Sequence, residues 1–331
     1  MAEIVGGIGT SHAPGMTGWP EQITDDERRR VFGALEQVRA FVAEQRPEVI
    51  IAFLDDHFEN HFRPLMPSIA VAVADEHYGP GEHHFGLLQI NERHRIDGAS
   101  ERADELLRSL VVSEFDVARM GQAEFGNNLI VPLHYIRPEF DIAVIPVFLN
   151  VWTPPIISLQ RANALGLAIR NAVANWSERI LFLGTGGLSH WPPFWLPDHE
   201  ERDDPLILRM KRFQTEGRDA VLADDPDIFT DVGQWEIDFA NNPETVVVNP
   251  EWDQWFLSAL AQGRIDEITS KSYEEIEEQA GSGAYEVLNW VALAGAMGNV
   301  PCETLVYAET PAWICGTGVS LYRGDTAQAG S

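Results

Sequence analysis

Residues 49–54 read Val-Ile-Ile-Ala-Phe-Leu, a run with no polar face. A strand of this kind belongs in the middle of a sheet covered on both sides, because it has no alternate row of side chains to give to water. Residues 4–8, 69–74, 142–149 and 180–183 are further short β-rich runs. Helical signals lie between them. Thr24-Asp25-Asp26-Glu27 has the form of a capping box, in which the Thr and Glu side chains satisfy each other's backbone N–H groups. Val31, Phe32, Leu35, Val38, Phe41 and Val42 then recur at helical spacing, and Pro47 stops the helix. A second helix, 159–176, joins the run 142–149 to the run 180–183. Strands alternating with helices predict an α/β fold, three-layer α/β/α around a mostly buried central sheet.

The segment 191–250 departs from this pattern. Pro192, Pro193, Pro197, Pro205, Pro226 and Pro243 punctuate it among many acids, and its helical periodicity is broken. It reads as an insertion at the rim of the sheet, a lid, although an ordinary surface excursion has the same composition. Helices are expected next over 251–262 and 272–279, then an apolar helix over 284–295 and a Gly-rich tail. With 331 residues, 45% of them hydrophobic, the chain can bury a sizeable core, and residues 1–331 read as a single catalytic domain.

Charge and cysteine usage narrow the function. Lys and Arg total 23 against 51 Asp and Glu, a formal charge of −28, which disfavours nucleic acid and anionic membrane as partners. The two cysteines, Cys302 and Cys315, neither make a disulfide framework nor show Cys-x-x-Cys spacing. The first residues lack a basic region followed by a long apolar run, and no stretch reaches the length of a membrane span. The expectation is a reduced, cytoplasmic protein.

The apolar helix carries one charge, Glu286. An ionised carboxylate on a buried helix costs several kcal/mol unless a cation or strong donors meet it. Two histidines, His12 and His57, each follow an apolar strand run, and His190 follows the run 180–183. Residues just beyond the carboxyl ends of strands in an open α/β sheet converge on the ligand-binding crevice. Two imidazoles and one carboxylate form the facial ligand set that suits non-haem Fe(II). Each residue also has a plainer use. His12 precedes the turn residues Pro14 and Gly15. His57 and His61 are spaced to bind zinc as a pair, although Phe58 follows His57 where the zinc-protease pattern needs Glu. Glu286 suits the positive end of a helix begun at Gly281-Ser282-Gly283. His77, His83, His84, His94, His134 and His199 sit in polar or loop-like settings and read as surface residues. Gly184, Gly186 and Gly187 lack the Lys-Ser/Thr of a phosphate loop, and Ser189 has no Gly-x-Ser-x-Gly elbow.

Several segments taken together resemble the class III extradiol ring-cleaving dioxygenases, the family of protocatechuate 4,5-dioxygenase catalytic subunits and 2,3-dihydroxyphenylpropionate 1,2-dioxygenases. They are Ser11-His12-Ala13-Pro14, the stretch 55–62 with Met66-Pro67, and the stretches 145–151, 181–193, 249–260 and 280–290. The resemblance implies His12, His57 and Glu286 as ligands of Fe(II) and His190 as catalytic base. It also implies a small aromatic diol and O2 as substrates, and a homo-oligomer without a fused partner subunit. The diol expected on this basis is a catecholic acid of the protocatechuate, gallate, O-methylgallate or dihydroxyphenylpropionate type. One position departs from the family. Asn127 stands where the family's Asp-His-Gly has its proton-donating histidine, and an amide exchanges hydrogen bonds but does not shuttle protons. The expectation is a substrate whose ring substituent meets the Asn127 amide, such as an O-methylated gallate. Two further readings use the same residues: a divalent-metal hydrolase with His190 as general base for bound water, and a non-catalytic binding protein that keeps the fold.

Overall fold

The computed structural model describes residues 3–192, 204–242 and 248–324. Pro193, Pro197, His199 and Pro243 lie outside the described residues. The strands are β1 (Glu3–Thr10), β2 (Val49–Leu54), β3 (Ile69–Ala72), β4 (Glu76–Gly79), β5 (His94–Asp97), β6 (Ala118–Met120), β7 (Ala143–Leu149), β8 (Arg179–Thr185), β9 (Glu303–Thr310) and β10 (Cys315–Arg323). Eight of them form one sheet in the order β6-β3-β7-β2-β8-β1-β10-β9, with β4 and β5 as a separate pair. The centre, β7-β2-β8-β1, is parallel. Every residue of β2 is buried, as its lack of a polar face requires.

Helices cover both faces. Successive residues of a strand point to opposite sides. A Cβ on Gly6 would strike Phe41 of the helix Asp25–Gln45, whereas one on Gly7 would strike Met297 and one on Gly9 would strike Trp290. The capped helix and the apolar helix Val287–Ala296 therefore flank β1 from opposite sides, and the three-layer α/β/α expectation holds. The capping box is formed, with Thr24 and Glu27 exchanging side-chain and backbone hydrogen bonds. The helix after β7 spans Leu159–Val173, and it packs on Val287–Ala296, all of whose residues are buried.

Two regions differ from expectation. The Gly-rich tail is not a tail: β10 runs antiparallel between β1 and β9 and is buried over most of its length. Its glycines hid it. A Cβ on Gly316 would lie 2.0 Å from the buried Asp253 carboxylate, so the strand can pack there only without a side chain. Among its described residues the segment 191–250 contains the helices Pro205–Glu216, Arg218–Asp224 and Ile228–Ala240. The first is capped by Asp204 with Pro205 following, a local start signal amid proline punctuation. Among the described residues no helix is long and apolar enough to cross a membrane.

Candidate metal centre

Parallel pairing sets the height at which three loops leave the sheet. Thr10 of β1 is level with Thr185 of β8, and Gly184 of β8 is level with Phe53 of β2. His12, His57 and His190 therefore emerge at one end of adjacent strands. Glu286 meets them from the 3-10 turn Ser282–Glu286, which leads into the apolar helix.

The structure brings His12, His57 and Glu286 into contact. His12 Nε2 lies 3.4 Å from Glu286 Oε2, and His57 Nε2 lies 3.2 Å from Glu286 Oε1, so each carboxylate oxygen faces one imidazole. The two rings stand edge to face at 5.2 Å. Glu286 is 3% exposed, and the Gly187 N–H donates to its Oε2. Burial works against its charge, but facing imidazolium forms of His12 and His57 outweigh it and hold the carboxyl well below its ordinary range, a cationic role that a metal ion between neutral imidazoles would take over. The His12 tautomer follows from its partner. Thr185 Oγ1 donates to the Asn128 carbonyl at 2.7 Å, so toward His12 Nδ1, at 3.1 Å, it can only accept. Nδ1 thus carries a proton, and in the neutral imidazole Nε2 carries the lone pair. That Nε2 is buried without a hydrogen-bond partner and faces a carboxylate oxygen. A lone pair opposite an anion is unfavourable unless a cation lies between them, so the donor set fits a metal ion.

Asp55 is a fourth member that sequence reasoning passed over. Ligand-capable atoms of His12, Asp55, His57 and Glu286 lie within 4.8 Å of one another. Asp55 Oδ2 is 3.2 Å from His57 Nε2 and accepts from Trp152 Nε1 at 3.0 Å, while Oδ1 accepts from Asn289 Nδ2 at 3.0 Å. Burial disfavours a charged His57, yet Asp55 and then Glu286 hold its pKa up to about 9. Burial and the neighbouring Glu286 push Asp55 up. The Asp55-Asp56-His57 run was the available signal for it.

His190 lines the same cavity. Its Nδ1 donates to the Leu188 carbonyl at 2.8 Å, which leaves Nε2 as the basic nitrogen. Burial pushes its pKa below the usual imidazole value. The loop that carries it packs so closely on the turn before Glu286 that a Cβ on Gly283 would sit 2.2 Å from His190 Nε2. Asn127 begins the helix Asn127–Ile136, also lines the cavity, and donates from Nδ2 to the His12 backbone carbonyl at 3.0 Å. Ser189 is turned away into a buried hydrogen bond with Asp253 at 2.9 Å.

The surface reading of the remaining histidines fails for three of them. His77 is fully buried, its Nδ1 accepting the Ala123 N–H at 3.0 Å, and desolvation pushes its pKa down to about 4. His83 and His84 pack around buried Glu59, with Nε2 atoms 3.2 and 3.4 Å from its two oxygens. Arg218 lies 3.7 Å from Glu59, and Phe229 packs on both imidazole rings. The adjacent His83-His84 gave no periodic pattern, and their partner Glu59 lies on another loop. His94 is half-buried and stacks on Phe140, whereas His134 is exposed as expected.

The family described as "Catalytic LigB subunit of aromatic ring-opening dioxygenase" matches residues 6–318. The chain is 30% identical over 320 residues to a 2,3-dihydroxyphenylpropionate/2,3-dihydroxicinnamic acid 1,2-dioxygenase of Rhodococcus jostii (strain RHA1), covering 94% of this chain and 95% of the relative. It is 29% identical over 315 residues to the protein of the same description from Escherichia coli O139:H28 (strain E24377A / ETEC), covering 93% and 95%. A crystal structure of an uncharacterized Escherichia coli K12 protein aligns over 96% of this chain and 99% of its own, at TM-score 0.49 and 11% identity, too distant to bear on fold or function.

Proposed function

This chain belongs to the family of catalytic LigB subunits of aromatic ring-opening dioxygenases, and from that premise we propose that it is an Fe(II)-dependent extradiol enzyme, opening a catechol-type ring beside its diol with O2. The observation that carries the proposal is the buried, unpartnered His12 Nε2 facing the Glu286 carboxylate, with His57 on the other oxygen.

In this reading His12, His57 and Glu286 hold the ion. A bound ferrous ion supplies open coordination positions for the two diol oxygens and for O2. His190 Nε2 takes a proton from a diol hydroxyl, and the Leu188 carbonyl keeps the imidazole in the tautomer that allows it. Asp55, steadied by Trp152 and Asn289, faces the same Nε2 of His57 that would meet the ion and adds a second buried carboxylate beside it. Asn127 contributes a hydrogen bond to the His12 loop and an amide to the substrate. The segment 191–250 acts as a lid: its helices bring Met210, Phe229 and Val232 to the cavity lining, where apolar side chains exclude water. Residues 1–331 act as one catalytic domain, assembled as a homo-oligomer. Two free, buried cysteines, Cys302 and Cys315, agree with a reduced cytoplasmic setting.

The test is oxygen uptake by anaerobically iron-loaded protein across a panel of catechols, read together with the absorbance of the ring-opened product. Uptake should require both iron and an ortho-diol, and zinc-loaded protein should show none. Iron-loaded protein that consumes no O2 with any diol contradicts the proposal. On the same panel, Asn127→His should shift relative kcat/KM values by roughly tenfold for at least one substituted catechol. Unchanged ranking removes Asn127 from substrate contact.

A further inference from the structure

The cavity around His12, His57 and Glu286 is walled partly by the helix Ile228–Ala240, which contributes Phe229, Val232 and Glu236. Among the described residues, that lining includes no lysine and no arginine, and Glu236 is its one carboxylate besides Glu286. Its remaining polar side chains are already engaged or neutral. His84 packs through Nε2 on Glu59, and burial pushes its pKa down to about 3. Asn127 donates to the His12 carbonyl.

Resting on the ring-opening reading above, we propose that the diol carries a hydrogen-bond-donating ring substituent, an amine above all, that binds the Glu236 carboxyl, and that catecholic acids are poor substrates. Among the described lining residues a substrate carboxylate would meet no lysine or arginine, and it would lie beside a second acid and the apolar Met210, Phe229 and Val232. An ammonium or other N–H donor meets an acceptor oxygen instead. Burial holds the Glu236 carboxyl up to about 8, so by itself it is largely protonated at neutral pH. A bound ammonium favours the ionised form, whereas a bound carboxylate leaves a single O–H donor to meet it, so the preference rests on the absence of lysine and arginine among the described lining residues. The catecholic acids expected from the resemblance are therefore replaced, within this proposal, by amine-bearing or otherwise donor-bearing catechols.

The experiment compares matched catechols on the iron-loaded enzyme: unsubstituted catechol, 3,4-dihydroxyphenethylamine, 3,4-dihydroxyphenylpropionate and 2,3-dihydroxyphenylpropionate. In the native enzyme kcat/KM should favour the amine over either acid by at least ~10-fold. Glu236→Gln should shrink that ratio, mainly through KM, and Glu236→Lys should invert it, with iron content reporting that each variant still assembles its metal centre. Acids turned over as well as or better than the amine by the native enzyme overturn the proposal, whatever the variants do. Turnover of unsubstituted catechol in that case leaves the ring-opening reading standing. No oxygen uptake with any of the four sinks both.

Discussion

Glu286→Ala abolishes stoichiometric iron binding and lowers oxygen uptake with catechol by roughly a thousandfold, since a metal's several kcal/mol of charge stabilisation converts at about 1.4 kcal/mol per tenfold. The expectation follows from the site's electrostatics. Glu286 faces both imidazoles and supplies the buried negative charge that complements a cation between them. Alanine would leave two imidazoles and Asp55, whose oxygens are already engaged by Trp152 and Asn289. Metal analysis after anaerobic loading, with circular dichroism to show that the fold survives, checks the outcome. An alanine variant that still binds one equivalent of iron and opens the ring removes Glu286 from the metal centre.

His190→Ala separates binding from chemistry. It lines the cavity but lies outside the His12, Asp55, His57 and Glu286 cluster, so on the proposed reading it acts on the substrate and iron content should stay at the native level. The rate should fall about 10²–10⁴-fold, the usual worth of a general acid–base group. The working form is the neutral imidazole, with Nδ1–H held by Leu188. Burial lowers its pKa, which keeps the neutral form populated further into acid. Activity is therefore full above that pKa and falls as pH drops through it, placing the acidic limb of kcat/KM for the free enzyme below pH ~6.5. The alanine variant should lose that limb along with its rate. Retention of both rate and limb would show that another group takes the proton.

The parts of this protein that were legible in its sequence are those governed by local rules. The all-apolar run of β2 announced a central strand, and Thr24-x-x-Glu27 marked a helix start that the structure forms. Glu286 stood out because charge inside an apolar helix demands a partner, and His12, His57 and His190 could be grouped because parallel strands deliver their following loops to one end of a sheet. What stayed hidden depends on contacts between distant segments. β10 reads as a tail because Gly316 and Gly318 break its apolar pattern, and the reason for Gly316 is Asp253 on another helix. His83 and His84 look like surface residues until Glu59 folds over them. Asp55 looks like one acid among many, and its role depends on Trp152 and Asn289, which lie far away in the chain. Glu236 sits in the proline-punctuated segment where composition suggested solvent, yet its helix turns it toward the cavity.

The most direct measurement is an anomalous difference map collected at the iron absorption edge from crystals grown and loaded with Fe(II) under anaerobic conditions. The account predicts one strong peak per chain, within ligand distance of His12 Nε2, His57 Nε2 and the Glu286 carboxylate, with the basic nitrogen of His190 facing the same space. A peak at Glu59, His83 and His84 instead, or a fully occupied site that excludes Glu286, would contradict it.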